Sequence, residues 1–190
     1  AEHTLKWQQI PVREKKILFV GEEISFASRY RVEHFREQLH YQGYGSDFYQ
    51  VDEVKDLDWD AYRAVVCYRC SREDVVCKVV EQAKKVGLKV YYDIDDLIFD
   101  YERISYLHFL TGSEYKDFKK TTEQIHSCME LCDGYFTSTD TLAGEIRREF
   151  PGKPVVINRN CASMEMQILS HDAVEQVEKD TEHISIGYFS

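Results

Sequence analysis

Apolar residues along the chain fall into short continuous runs, separated by stretches with helical spacing. The run "KKILFVG" (Lys15–Gly21) closes on a glycine, as a strand buried on both faces does. In "SRYRVEHFREQLHYQGYG", Val32, Phe35 and Leu39 keep helical spacing, and Gly43 and Gly45 end the element. "SDFYQV" reads as a second strand and "YRAVVCYR" (Tyr62–Arg69) as a third. Ser71 is placed to cap the next helix, with Glu73 and Asp74 in its first turn. That helix runs through Val75, Val76, Val79, Val80 and Ala83 to Gly87, and "LKVYYDI" follows as a fourth strand. Residues 100–112 are aromatic-rich and irregular. Beyond them the pattern predicts a helix over "SEYKDFKKTTEQIHSCMELC" with Ser113 as its cap, and a short strand over "DGYFTST". A helix over "TLAGEIRREF" is capped by Thr139 or Asp140 and stopped by Pro151 and Gly152, and "KPVVINR" is a sixth strand. Residues 171–183 are polar, and "ISIGYFS" (Ile184–Ser190) is a seventh apolar run.

Strands of this kind alternating with helices imply an α/β fold, a Rossmann-like three-layer α/β/α arrangement around a mainly parallel sheet. Crossovers should be right-handed, and a ligand should sit at the carboxyl ends of the strands. The expected organisation is a polar lead-in over residues 1–14, a Rossmann-like domain over 15–183, and the start of a second, truncated domain at 184–190. The competing reading of the last run is an edge strand of the same sheet.

Composition narrows the function classes. The chain has 190 residues, 43% of them hydrophobic and 31% charged, which is ordinary globular material large enough for a sizeable core. A net charge of −10 argues against non-specific binding to nucleic acid. No apolar run reaches the roughly 18 residues of a membrane span, and the N-terminus lacks a signal-peptide pattern, so a cytoplasmic location is expected. Of the six cysteines, Cys67 and Cys70 form a C-x-x-C, while Cys128 and Cys132 are four apart on a helix. A zinc site would require the second pair at loop spacing, so the expectation is reduced, structural thiols.

Candidate chemistry gathers at strand ends. Gly21 is placed for a close backbone approach, but neither a dinucleotide-binding nor a P-loop glycine pattern follows it. Arg29 and Arg31 open the first helix, where they either line an anion or sugar cleft or pair with Glu33 or Glu22. Arg69 and Arg72 follow the third strand. The stretch "YYDIDDLIFD" places Asp93, Asp95, Asp96 and Asp100 after the fourth. On an extended strand Asp93 and Asp95 share a face and could hold Mg²⁺ or Mn²⁺. Alternatively Asp95 or Asp96 caps the next turn with Asp100 a solvated loop charge, or the aspartates act on a substrate. His108 and His126 have no motif partners.

Taken together, several segments resemble the N-terminal, acceptor-side domain of GT-B-fold glycosyltransferases of the group 1 type. "KKILFVG" with "SRYR" resembles that family's first strand and cleft loop, "AVVCYRCS" its third strand, and "VYYDIDDLIFD" its strand ending in D-x-D-D-L. "CDGYFTSTDTLAGEI" and "GKPVVINRNCAS" resemble two later segments, and "ISIGYFS" resembles the first strand of the donor-binding domain. The resemblance implies transfer of a sugar from a nucleotide-sugar donor to the hydroxyl of a glycan or lipid-linked acceptor, in bacterial surface polysaccharide or glycan assembly. It implies a donor bound mainly by the second domain, an isolated domain that is inactive, and no metal or other cofactor. It also allows peripheral membrane association of the full-length enzyme, with no nucleic-acid partner. Asp95 and Asp96 stand where many members carry a histidine followed by an acid, so they are the catalytic candidates; Asp95 would be a general base or a hydrogen-bond partner of the donor sugar. Gly21, Ser28, Arg29, Arg31, Arg69, Asp93 and Asn160 are the cleft candidates. Cys161 replaces the glycine that follows the family asparagine.

Two other classes compete. One is a non-catalytic receiver-like or flavodoxin-like binding domain, for which Glu22 and Glu23 are suggestive although the later strand lacks the required lysine. The other is a metal-dependent phosphatase built on D-x-D, although Leu97 stands where that motif has Thr or Val.

Overall fold

A computed structural model describes residues 14–22, 26–54, 57–71, 73–104 and 111–176. The expectation for residues 184–190, and that for almost all of the lead-in, fall outside this range. Among the described residues six strands form one sheet: β1 (Lys16–Gly21), β2 (Ser46–Gln50), β3 (Tyr62–Tyr68), β4 (Lys89–Asp93), β5 (Gly134–Thr137) and β6 (Val155–Ile157). Every neighbouring pair is parallel, and their order is β2-β1-β3-β4-β5-β6. The six predicted strands are thus present, and the fold is a Rossmann-like parallel α/β sheet.

Among the described residues the sheet is accompanied by helices α1 (His34–Tyr41), α2 (Asp74–Lys85), α3 (Tyr101–Ile104), α4 (Gly112–Leu131), α5 (Asp140–Glu149) and α6 (Met164–Gln176). A helical turn, Phe26–Ser28, and a π turn, Arg29–Glu33, lead into α1. Strand alternation divides the core between two faces. Phe19, Val66 and Tyr68 point to one face and pack with Val32, Phe35 and Leu39 of the π turn and α1. Leu18, Val20, Val65, Cys67, Val90, Tyr92 and Tyr135 point to the other, against Val76, Val79, Val80 and Ala83 of α2, Cys128 and Met129 of α4, and Leu142 and Ile146 of α5. All six cysteines are free thiols. Cys67, Cys70, Cys128 and Cys132 lie together in this larger core, as packed side chains of low polarity do.

Several helix boundaries differ from the sequence expectation. Helix α2 starts at Asp74 with Glu73 at its N-cap and no side-chain cap, because Ser71 donates its hydroxyl to Glu22 Oε1 at 2.5 Å and its N–H to the same oxygen. Thr111, not Ser113, holds the N-cap position of α4. Thr139 caps α5 by accepting from Leu142 N–H at 3.2 Å, one of the two alternatives expected. Helix α6 takes residues 171–176 from the stretch read as polar, for which no helix was expected. Its residues include none that is buried, so no periodic apolar face announces it. Ser163 opens it by accepting from Met166 N–H at 3.0 Å.

Close packing of β5 against β6 makes one stability prediction. A Cβ on Gly134 would lie 2.8 Å from Pro154 Cγ and 3.0 Å from the Pro154 carbonyl oxygen. The backbone cannot yield cheaply there, so Gly134→Ala should destabilise by about 1–3 kcal/mol. Urea unfolding would check this, and an unchanged midpoint would contradict it.

Candidate functional site at the carboxyl edge of the sheet

Register aligns the carboxyl ends of the central strands. Gly21 pairs with Tyr68, Tyr68 with Asp93, and Asp93 with Phe136, so the residues that follow emerge along one edge. The strand order also reverses between β1 and β3, the kind of switch point at which a crevice opens in such sheets.

Asp93, the last residue of β4, follows the alternation of Tyr91 and so faces the π turn and α1. There it meets Arg31. Nε donates to Oδ1 at 2.8 Å and Nη2 to Oδ2 at 2.9 Å, with both side chains fully buried. Arg31 Nη1 donates to the Asn158 carbonyl at 2.5 Å and to Asn160 Oδ1 at 3.0 Å. The reading of Arg31 as a surface charge paired with Glu33 or Glu22 is therefore corrected: Glu33 pairs with Arg36, and Arg31 braces β4 against the connection after β6. The wide π turn brings Arg31 into this position, a use to which such turns are often put. Burial raises the Asp93 carboxyl to about 6, outweighing the opposing pull of Arg31.

Beyond Asp93 the strand ends, although Ile94 N–H still donates to the Phe136 carbonyl at 3.1 Å. Asp95 turns to a different arginine. Arg69 Nε and Nη2 donate to Asp95 Oδ1 at 3.0 and 2.7 Å, and Nη2 also donates to Asp96 Oδ2. Asp93 and Asp95 therefore do not converge. Among the described residues no three His, Cys, Asp or Glu side chains are arranged to hold a metal ion. Arg69 has φ 48°, the one positive value at a non-glycine among the described residues. A left-handed arginine costs about 1–2 kcal/mol, and strain of this sort concentrates at functional sites.

The remaining candidates occupy varied positions. Gly21 is buried, and a Cβ there would meet the Phe48 ring at 3.1 Å, so the close approach it permits is that of a neighbouring side chain. Ser28 is buried, while Arg29 and Asn160 are exposed. Asp100, not Asp95 or Asp96, caps the turn that follows: its Oδ1 accepts from Arg103 N–H at 3.2 Å and its Oδ2 from Arg148 at 3.1 Å. His126 lies away from the edge, paired with Glu149 at 3.0 Å and tilted over Phe150. Arg72, Glu23 and His108 fall outside the described residues. Sequence reasoning missed how the first helix reaches Asp93 and Asn160, contacts spanning 62 and 129 positions. A signal was present: Arg31 precedes Val32, Phe35 and Leu39, the apolar face that packs on the sheet.

Two sizeable hollows lie away from this edge. One, of about 680 Å³, sits among α3, α4 and the end of α5; the other, of about 510 Å³, lies along α1 and the start of β2. Among the described residues no helix is long and apolar enough to cross a membrane.

No protein-family model matches the chain, and no curated protein matches it. Among solved structures it is similar to a UDP-glucosyltransferase from Polygonum tinctorium, described as capable of glucosylating indoxyl and 3,4-dichloroaniline, with 12% identity and a TM-score of 0.41. The match covers 89% of this chain and 55% of that one, so the chain spans about half of that protein's length.

Proposed function

We propose that the chain is the acceptor-side, N-terminal half of a two-domain GT-B-type glycosyltransferase that moves a sugar from a nucleotide-sugar donor to an acceptor hydroxyl. The observation that carries this reading is the grouping of Asp95, Asp96 and the strained Arg69 at the carboxyl edge of the sheet. A ligand would meet them there, beside the β1/β3 switch point. The order of segments along the sequence supports the same reading. In this scheme Asp95 meets the reacting hydroxyl and Asp96 flanks it. Arg31 and Asp93, having no exposed surface, brace the rim from beneath. A second half would bind most of the donor nucleotide, and the acceptor would be a glycan or lipid-linked sugar of a bacterial surface polymer, modified on the cytoplasmic side. A phosphatase built on D-x-D gains nothing from this geometry, because Asp93 commits both oxygens to Arg31.

The test is to express the protein from its complete gene. Release of nucleoside diphosphate from UDP-, GDP- and dTDP-sugars is then measured with and without hydroxyl-bearing glycan acceptors. Acceptor-dependent release by the full protein, and none by residues 1–190 alone, is the expected result. Failure of every donor, or full activity in residues 1–190, would overturn the reading.

A further inference from the structure

The following inference rests on the transferase reading and concerns how its carboxylate is held. Arg69 engages Asp95 through a single oxygen, since Nε and Nη2 both donate to Oδ1. Among the described residues Asp95 Oδ2 accepts no hydrogen bond, and the side chain is 11% exposed. One oxygen is therefore fixed by Arg69, while the other takes no hydrogen bond from a described residue. Arg69 itself has little freedom. Its backbone is left-handed, its N–H donates to the Asp93 carbonyl at 3.2 Å, and its guanidinium lies over the Tyr68 ring at 5.7 Å. Tyr68 and Asp93 are register partners on β3 and β4, so the anchor of Arg69 is the sheet itself. The end of β4 is braced a second time through Arg31.

We propose that Arg69 is a positioning residue: it holds Asp95 by Oδ1 so that Oδ2 meets a ligand hydroxyl in one fixed direction. A planar fork suits this task better than a point charge, because two N–H groups converging on one oxygen define a direction as well as an attraction. The strained backbone is consistent with this role, since a relaxed conformation at residue 69 would aim the side chain elsewhere. A merely structural ion pair would not need the strain.

The test has two arms. Crystal structures of wild-type, Arg69→Gln and Arg69→Lys chains read the orientation of Asp95 directly. Reorientation of the Asp95 carboxylate in both variants is expected, and an unmoved Asp95 in either would overturn the proposal. In the full-length protein, with the donor and acceptor identified by the release assay, both variants should lower kcat by about 100-fold while KM stays near the wild-type value. Lysine should not rescue glutamine. Wild-type kcat in Arg69→Lys would reduce Arg69 to a simple counter-charge and overturn the proposal. If the wild-type protein transfers no sugar, the transferase reading fails and the hydroxyl role fails with it, while the crystal structures still decide whether Arg69 positions Asp95.

Discussion

Replacing Asp93 with leucine should destabilise the fold by about 3–5 kcal/mol, the usual penalty for stripping one partner from a buried ion pair. The guanidinium of Arg31 would then remain charged with 0% of its side chain exposed, and arginine cannot shed its proton. Its contacts to the Asn158 carbonyl and Asn160 would be all that remained to it of these hydrogen bonds. Arg31→Met should cost less, because Asp93 can escape by taking up a proton. The double variant Arg31→Met, Asp93→Leu should recover most of the loss, since an apolar pair of similar volume removes both desolvation penalties. Recovery should be incomplete, because methionine no longer ties the connection after β6. A pH dependence accompanies this. The Asp93 carboxyl titrates near 6 when folded, against an ordinary value of 3.8, so between those values the folded state holds a proton that the unfolded state has released. Stability from this group is therefore present at the acid end of the window and is lost as pH rises through about 6. Urea unfolding of the four proteins at about pH 4.5, inside that window towards its acid end, and at about pH 7, above it, gives both results. A cost below about 1 kcal/mol for Asp93→Leu, nearer that of an exposed pair, would show that the pair is not held as described. So would a wild-type pH slope that survives in the double variant.

Those residues also show where local pattern stops informing. The strands were legible because burial on both faces leaves continuous apolar runs, such as "YRAVVCYR", that need no knowledge of partners. Glycines at 43 and 87, with φ 77° and 81°, marked helix ends for an equally local reason. The cap of α2 was not legible, because Ser71 is claimed by Glu22, 49 positions away. Helix α6 was not legible because it buries no side chain; its formation rests on propensity and the Ser163 cap, not on amphipathic spacing. At the candidate site the sequence correctly gathered charges at strand ends but could not sort them. Strand alternation would give Asp93 and Asp95 a common face only if β4 continued. It stops at Asp93, and the two carboxylates go to separate arginines. Pairing across a sheet depends on strand order, and strand order has no local signature.

Sorting the aspartates separates their expected roles. On the transferase reading proposed above, Asp95→Ala in the full-length protein should lower turnover by about 10²–10⁴-fold, the range for a group that handles a proton or a hydroxyl at the reacting centre. Stability should change by no more than about 1 kcal/mol, because Arg69 is 27% exposed and keeps Asp96 as a partner. This inverts the pattern at Asp93, where stability suffers first. Asp96→Ala should be milder in both respects: its side chain is 56% exposed, so it bears less of the directional constraint that Arg69 places on Asp95. The order Asp95 before Asp96 follows from burial and from the double contact of Arg69 with one Asp95 oxygen. Initial rates and urea midpoints for the two alanine variants would test it. Near-wild-type turnover in Asp95→Ala would remove that residue from the chemistry. A larger loss in Asp96→Ala would transfer the role to the outer carboxylate and leave Asp95 as the inner half of a structural ion pair.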